Sequence, residues 1–192
     1  MSFLSGLAVL RGGVAIVGED TWSVMNAKSK LRVRWNESDA SRDDWEQMTL
    51  QARQIADKGD GEVTLEGTNV DKAMADNNNR TQESFYQFPY VAHVCMEPMN
   101  CTVHFKKGNG SQPDTMELWI PSQFPGQVKE IAENMLGVKK ENVKVNPTRM
   151  GGGFGRRAVH DFASEAMAIS HRAGVPVKLT WTRTDDIHND FF

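Results

Sequence analysis

Residues 143–157 read Val-Lys-Val-Asn-Pro-Thr-Arg-Met-Gly-Gly-Gly-Phe-Gly-Arg-Arg. Val143 to Thr148 is β-like, and Val159 to Ala173, just beyond, is helix-like. Between them Gly151, Gly152, Gly153 and Gly155 strip the side chains from a short loop. Its backbone can therefore take left-handed angles, and its amides can approach a ligand closely. A glycine loop leading into a helix N-terminus suits an anion. Arg149, Arg156 and Arg157 add three positive charges, with no acid among residues 149–157. A tight turn flanked by solvated arginines accounts for the same residues. Two familiar phosphate loops do not fit. A Walker loop ends in Gly-Lys-Ser or Gly-Lys-Thr, which is absent. The dinucleotide fingerprint puts a third glycine three places after the second, where this chain has Arg156 or Ala158.

Working outward, Val177 to Thr182 reads as a strand after that helix, whose Phe162, Ala166, Ile169 and Ala173 share one face. Pro125 suits a helix start. Val128, Ile131, Ala132 and Met135 form a stripe, and Gly137 fits the stop. Thr102 to Lys106 and Met116 to Ile120 predict a hairpin across Lys107 to Pro113. Arg80 to Phe88 alternates like a strand. Further back, Gly59 to Arg80 is polar and reads as a linker loop. A helix is expected from Ser41, with Asp44 as a capping signal and Trp45, Met48, Ala52, Ile55 and Ala56 on one face, ending near Lys58-Gly59. The N-terminal part predicts strand, helix, strand over Gly13 to Val17, Thr21 to Leu31 and Arg32 to Trp35, with Asp20 or Thr21 as the cap. Hairpin and strand–helix–strand units together argue an α+β fold.

Hydrophobic content of 39%, charged content of 24% and a net charge of −3 over 192 residues describe one or two globular domains. The charge argues against nucleic-acid or anionic-membrane binding. No apolar run approaches the roughly 20 residues of a membrane span. Cys95 and Cys101 match no zinc or iron–sulfur spacing. A short-loop disulfide and two buried free thiols both suit them. His93 and Glu97, four apart, suit an acid–base pair or separate structural roles. His160 and Asp161 can orient the arginines or sit solvated in a first helical turn. His171 and His188 have no evident partner. Asn36, Asn79, Asn100 and Asn109 begin glycosylation sequons, and nothing else points to a glycosylated protein.

Four blocks carry a resemblance: His93-Val94-Cys95-Met96-Glu97-Pro98-Met99-Asn100-Cys101-Thr102, Trp119-Ile120-Pro121-Ser122-Gln123, the glycine loop, and Thr180-Trp181-Thr182-Arg183-Thr184-Asp185-Asp186. In that order they resemble the molybdenum-cofactor subunit of the xanthine dehydrogenase and aldehyde oxidase family. Phe154-Gly155-Arg156-Arg157 followed by Asp161-Phe162 is most similar to its isoquinoline 1-oxidoreductase β-subunit branch. Gly13 to Trp35 adds a weaker likeness to the end of the family's hammerhead domain. The resemblance implies residues 1–38 as the end of a hammerhead-like domain, 39–79 as a helix and polar linker, and 80–192 as the N-terminal part of a molybdopterin-binding domain. Family subunits are far longer. The start at Phe3-Leu4-Ser5-Gly6-Leu7 and the end at Phe191-Phe192 are expected of a piece of one.

The resemblance also implies chemistry: hydroxylation of an N-heteroaromatic compound or an aldehyde with oxygen from water. The cofactor is a molybdenum pterin, and the partner is an iron–sulfur electron-transfer subunit. Gly152, Gly153, Phe154, Gly155 and Arg156 are the cofactor-binding candidates, with the amides of Phe154 and Gly155 as donors toward a metal oxo group. No residue of the chain is assigned as catalytic or as a metal ligand. The family's purine-contacting glutamate is replaced by Ala158, and its glutamine has no counterpart near Val91, so a purine substrate is not expected. The family's general base and most pterin contacts belong to a later region, so this chain alone is expected to be inactive. It is expected to self-associate. Arg157, read as a solvated flank, is expected to matter less than Phe154 or Gly155. The other reading is a non-catalytic anion-binding or interaction module. Compartment is not legible.

Overall fold

The computed structural model describes residues 13–62, 64, 67, 69–82 and 84–191. Phe3 to Leu7 and Phe192, named above, lie outside the described residues. The chain divides into two compact units, one of residues 1–30 with 91–192 and one of residues 31–90.

The larger unit carries a four-stranded sheet in the order β3-β2-β1-β4. Strand β1 (Asn100–Lys106) and β2 (Thr115–Ile120) form the expected antiparallel hairpin, with Val103 opposite Leu118. Alternation puts Cys101, Val103 and Phe105 of β1, and Met116, Leu118 and Ile120 of β2, on the buried face. After β2 the chain crosses over through α4 (Pro125–Leu136) to β3 (Val143–Pro147), which pairs parallel to β2. A parallel partner demands such a crossover. Pro125 opens α4, Gly137 closes it at φ 72°, and Val128, Ile131 and Ala132 are buried as the stripe predicts. Helix α5 (Asp161–Ala173) and β4 (Val177–Thr180) follow, and β4 pairs antiparallel with β1. Helices α4 and α5 pack against the sheet around one core that includes Phe162, Met167, Val128 and Leu118. The α+β architecture is thus as expected.

Several local expectations are corrected. Helix α5 starts at Asp161 rather than Val159, because Arg156–Ala158 forms a separate 3-10 turn. Its buried face is Phe162, Ala163, Ala166, Met167 and Ser170, and Ala173 is exposed. Gly13 to Val17 and Arg32 to Trp35 are not strands. A strand needs a ladder of partners, and the one sheet among the described residues is made of other segments. Helix α1 (Thr21–Lys30) forms between them, and Asp20 accepts from the Ser23 amide at 2.8 Å.

In the smaller unit α2 (Trp45–Lys58) begins one residue after Asp44, whose side chain accepts from the Gln47 amide, and ends at Gly59 in the left-handed region. The Gly59–Arg80 stretch is not all loop: α3 (Val70–Ala75) forms there, capped by Asn69. The described residues of 80–88 are irregular rather than extended in a sheet. This segment lies along α2 through Arg53 over the Phe85 ring and Gln87 on Thr49. Helix α6 (Arg183–His188), in the larger unit, starts on a reciprocal Thr182–Asp185 capping box.

Ser170 joins helix to sheet. Its hydroxyl accepts from the Phe105 amide at 3.1 Å and donates to the Val175 carbonyl at 2.8 Å, with the side chain wholly buried. Ser170→Ala strands both groups. The variant is expected to lose about 1–3 kcal/mol, read as a lower urea midpoint with unchanged secondary structure.

Candidate functional site

Strand β3 lies at the sheet edge, and the glycine loop leaves from its end. The four glycines of the loop are required for two different reasons. Gly152 and Gly155 sit at φ 105° and 100°, which L side chains rarely adopt. Gly151 and Gly153 are crowded instead: an added Cβ would stand 2.6 Å from Glu97 Cβ and 2.9 Å from Gln123 Oε1. Phe154 itself has φ 52°, and the residue is 76% exposed at the loop tip.

Arg157 holds this loop in place. Its guanidinium is fully buried. Nε donates to Gly152 O at 2.7 Å, Nη1 to Pro121 O at 3.3 Å, and Nη2 to both Glu97 O at 2.6 Å and Glu97 Oε2 at 3.0 Å. Glu97 Oε2 also accepts from the Gly151 amide at 2.8 Å, and Glu97 N donates to Gly151 O. The Gln123 amide donates to Arg157 O, while Gln123 Oε1 accepts from the Gly155 amide at 3.1 Å. Arg183 reaches the carbonyls of Cys95 and Met96, and Cys95 Sγ lies 3.5 Å from Gly153 O. The four sequence blocks, far apart along the chain, therefore meet around one loop.

The amides of Gly152, Gly153 and Phe154 donate to no protein acceptor among the described residues. Three successive open N–H groups beside an exposed aromatic ring form a donor set that fits an anionic or oxo-bearing group. Of the two amides singled out from sequence, Phe154's is open and Gly155's is engaged by Gln123.

Arg156, the fifth candidate, is 1% exposed. It makes a two-pronged bond to Asp161 at 3.0 and 2.8 Å and lies between the rings of Trp181 and Phe191. Its Nε stands 3.3 Å from Asp190 Oδ1, near enough for charge attraction without hydrogen-bond alignment. Asp190 takes hydrogen bonds from His93, through the backbone amide to Oδ2 and through ring Nδ1 at 3.0 Å to Oδ1, and from the Phe191 amide to Oδ1 at 3.0 Å. Burial acts to raise the Asp190 pKa, but these bonds outweigh it and hold the carboxyl below its ordinary range. The His93–Glu97 acid–base pair is thus overturned: each side chain has a different partner. Neither Asp190 nor the role of Gln123 was legible in the sequence. The charge on Asp190, two residues past α6, carries no periodic signal.

The solvated-arginine reading is overturned for Arg156 and Arg157; Arg149 alone is exposed. His160 is 4% exposed, and its Nε2 lies 2.6 Å from Ser122 Oγ, which also accepts from the Phe124 amide. It therefore fixes the turn bearing Gln123 rather than an arginine, and the solvated reading of His160 fails too. Burial drives its pKa down to about 4. Asp161 does orient Arg156. His171 packs on Phe105 at 4.5 Å between ring centroids. Cys95 and Cys101 are free, buried thiols, and burial pushes Cys101 to about 12. Among the described residues no cluster of three or more His, Cys, Asp or Glu is placed to hold a metal ion, and no helix is long and apolar enough to cross a membrane.

The profile of the molybdopterin cofactor-binding domain family matches residues 52–191. The chain belongs to that family. It is 27% identical to isoquinoline 1-oxidoreductase subunit beta of Brevundimonas diminuta over 94% of this chain and 23% of that protein. It is 26% identical to a membrane-bound aldehyde dehydrogenase (pyrroloquinoline-quinone) of Gluconacetobacter polyoxogenes over 96% and 23%. It is 29% identical to xanthine dehydrogenase/oxidase of Rattus norvegicus over 66% and 9%. The chain thus spans under a quarter of each of these relatives. The resemblance read from the four blocks is borne out, including its link to the isoquinoline oxidoreductase branch.

Two measurements check the site's supports. Arg157→Ala leaves the carbonyls of Gly152, Pro121 and Glu97 without their donor and is expected to cost about 1–3 kcal/mol in urea unfolding, the reverse of a solvated flank. His160 binds its proton near pH 4 when folded and at an ordinary 6.5 when unfolded. Its depressed pKa means that stability is full above pH 6.5 and declines as pH falls toward 4. The penalty is on the order of 3 kcal/mol. Urea midpoints at pH 7 and 4.5 are expected to fall further for wild type than for His160→Gln.

Proposed function

We propose that this chain supplies the glycine-loop wall of the cofactor site in a molybdenum hydroxylase, an oxidoreductase acting on an N-heteroaromatic compound or an aldehyde. The observation that supports it is the run of open amides at Gly152, Gly153 and Phe154, in a domain of the molybdopterin cofactor-binding family. The family membership favours this over a non-catalytic anion-binding module. When bound, the molybdenum pterin supplies two-electron oxidation of a substrate carbon with water as the oxygen source.

The chain's own residues do the rest of what is assigned to it. The open amides stabilise negative charge where it grows during reduction. Gly152, Gly153 and Gly155 keep the backbone close enough to do so. Phe154 presents an apolar wall to a flat substrate. Arg156, bound to Asp161, backs the loop from beneath rather than reaching out to the cofactor. Ala158 in place of an acidic side chain suits an apolar ring better than a purine. The relative of Brevundimonas diminuta is named as a subunit. An iron–sulfur electron-transfer subunit is the partner this chemistry requires. Residues 1–38 stand as the end of a hammerhead-like domain and 80–192 as the start of the cofactor domain. Exposed Trp22, Trp35, Tyr86, Phe88 and Met96 favour self-association of the chain.

The test uses the complete enzyme carrying this sequence. Gly155→Val forces a branched side chain into φ 100° and displaces the loop. It is expected to cost about 1–3 kcal/mol of stability and to lower kcat/KM by about 100-fold. Phe154→Ala is expected to weaken aromatic substrates more than small aldehydes. Wild-type turnover in Gly155→Val removes the loop from the site. The 192-residue chain alone is expected to hold no stoichiometric molybdenum by metal analysis, and one molybdenum per chain overturns its assignment as one wall of a larger site.

A further inference from the structure

One pair beside the loop has no role in the function just described. His93 Nδ1 is held 3.0 Å from Asp190 Oδ1, and Asp190 also takes the His93 backbone amide. Two bonds from one carboxylate fix both the ring and the backbone that carries it. The Phe191 ring packs at 5.6 Å from the imidazole. The opposite ring nitrogen, Nε2, faces the loop and lies 3.6 Å from the point where a Cβ on Gly155 would stand. Gly155 is the residue next to Phe154, whose amide is open. The imidazole thus has one nitrogen tied to a buried carboxylate and the other turned toward the site wall.

The charged groups that face this pair are few. Arg156 Nε stands 3.3 Å from the same Asp190 Oδ1 that pairs with His93, and Arg156 is also paired with Asp161. The Cys95 thiol, two residues from His93, is kept protonated by burial. Asp190 is held ionised by its hydrogen bonds. A carboxylate that accepts Nδ1–H selects the tautomer with a lone pair on Nε2 and stabilises the imidazolium formed when that nitrogen takes a proton.

We propose that His93 is a proton acceptor of this site, with Asp190 as its positioning residue. This rests on the hydroxylase reading, and the stoichiometry of that reaction supplies the reason. Conversion of a substrate C–H and one water to C–OH breaks one C–H and one O–H bond and forms one C–O bond. It releases two electrons and two protons. The electrons leave to the electron-transfer partner. Each proton needs an acceptor near the wall where charge changes, and His93 Nε2 takes one. The side chain of His93 is 20% exposed, so the proton passes on to solvent and the lone pair is restored.

Two measurements test this and separate it from the reaction class. Long-range 15N–1H spectra of the 192-residue chain report the tautomer of His93 without any cofactor. The Nδ1–H form is expected, with a shift toward Nε2–H in Asp190→Asn; an Nε2–H tautomer in wild type overturns the proposal. In the complete enzyme, His93→Gln is expected to lower kcat about 100-fold, with KM and molybdenum content unchanged and the acid limb of the kcat–pH profile lost. Asp190→Asn is expected to shift that limb and keep part of the rate, and it serves if His93→Gln does not fold. Unchanged kcat and pH profile in either folded variant overturns the role. Absence of hydroxylation in the wild-type enzyme refutes the reaction class instead, while the tautomer result still stands on its own.

Discussion

Everything around the loop depends on one buried cation. Arg157 has lost all contact with water, and such a charge is tolerated only when its donors find acceptors. It finds them in three separate segments: Gly152 O on its own loop, Pro121 O after β2, and Glu97 through both carbonyl and carboxylate. Arginine suits this because its planar fork presents several donors in fixed directions. The same Glu97 carboxylate then takes the Gly151 amide, so one ion pair fixes the start of the glycine run at Gly151 and Gly152. Without the cation, the carbonyls of Gly152, Pro121 and Glu97 would lose their donor and three loops would lose their common tie.

The position of that cation explains which glycines the loop needs. Glu97 and Gln123 are drawn against the backbone so closely that Gly151 and Gly153 have no room for a Cβ. Gly155 has the room but not the backbone angle, and Gly152 has the unfavourable angle with the Phe154 ring 3.2 Å from where its Cβ would stand. Phe154 adopts a positive φ without being glycine, and backbone strain of this kind persists where surroundings over-determine it. The result is a loop with three amides open and the charges around it paired. Charge is kept beneath the wall, by Arg156 with Asp161 and Asp190, rather than on it.

The smaller unit is built differently. None of α2 or α3 is buried, and both rest on local devices: Asp44, Gly59 and Asn69 as caps, and side contacts such as Trp45 on Tyr90. Short helices gain little from propensity alone. The apolar stripe of α2 therefore stays unburied among the described residues, as Trp45 and Ile55 illustrate.

The sequence by itself determined the α+β class, the β1–β2 hairpin, α4 with its Pro125 start and Gly137 stop, β3, and the membership announced by the four blocks. These signals are local: alternation, helical stripes, caps and contiguous motifs act within a few residues. The sequence also singled out the loop glycines and Phe154. Tertiary structure decided what could not be local. A strand exists only if a partner lies beside it, so Gly13 to Val17, Arg32 to Trp35 and Arg80 to Phe88 stayed irregular. Whether an arginine is solvated or buried depends on which distant carbonyls converge on it, and nothing near Arg157 in sequence names Glu97 or Pro121. The partners of His93 and His160, Asp190 and Ser122, lie 97 and 38 residues away. Side-chain chemistry was legible residue by residue; its pairing was set by the packing that brought remote segments within hydrogen-bond reach.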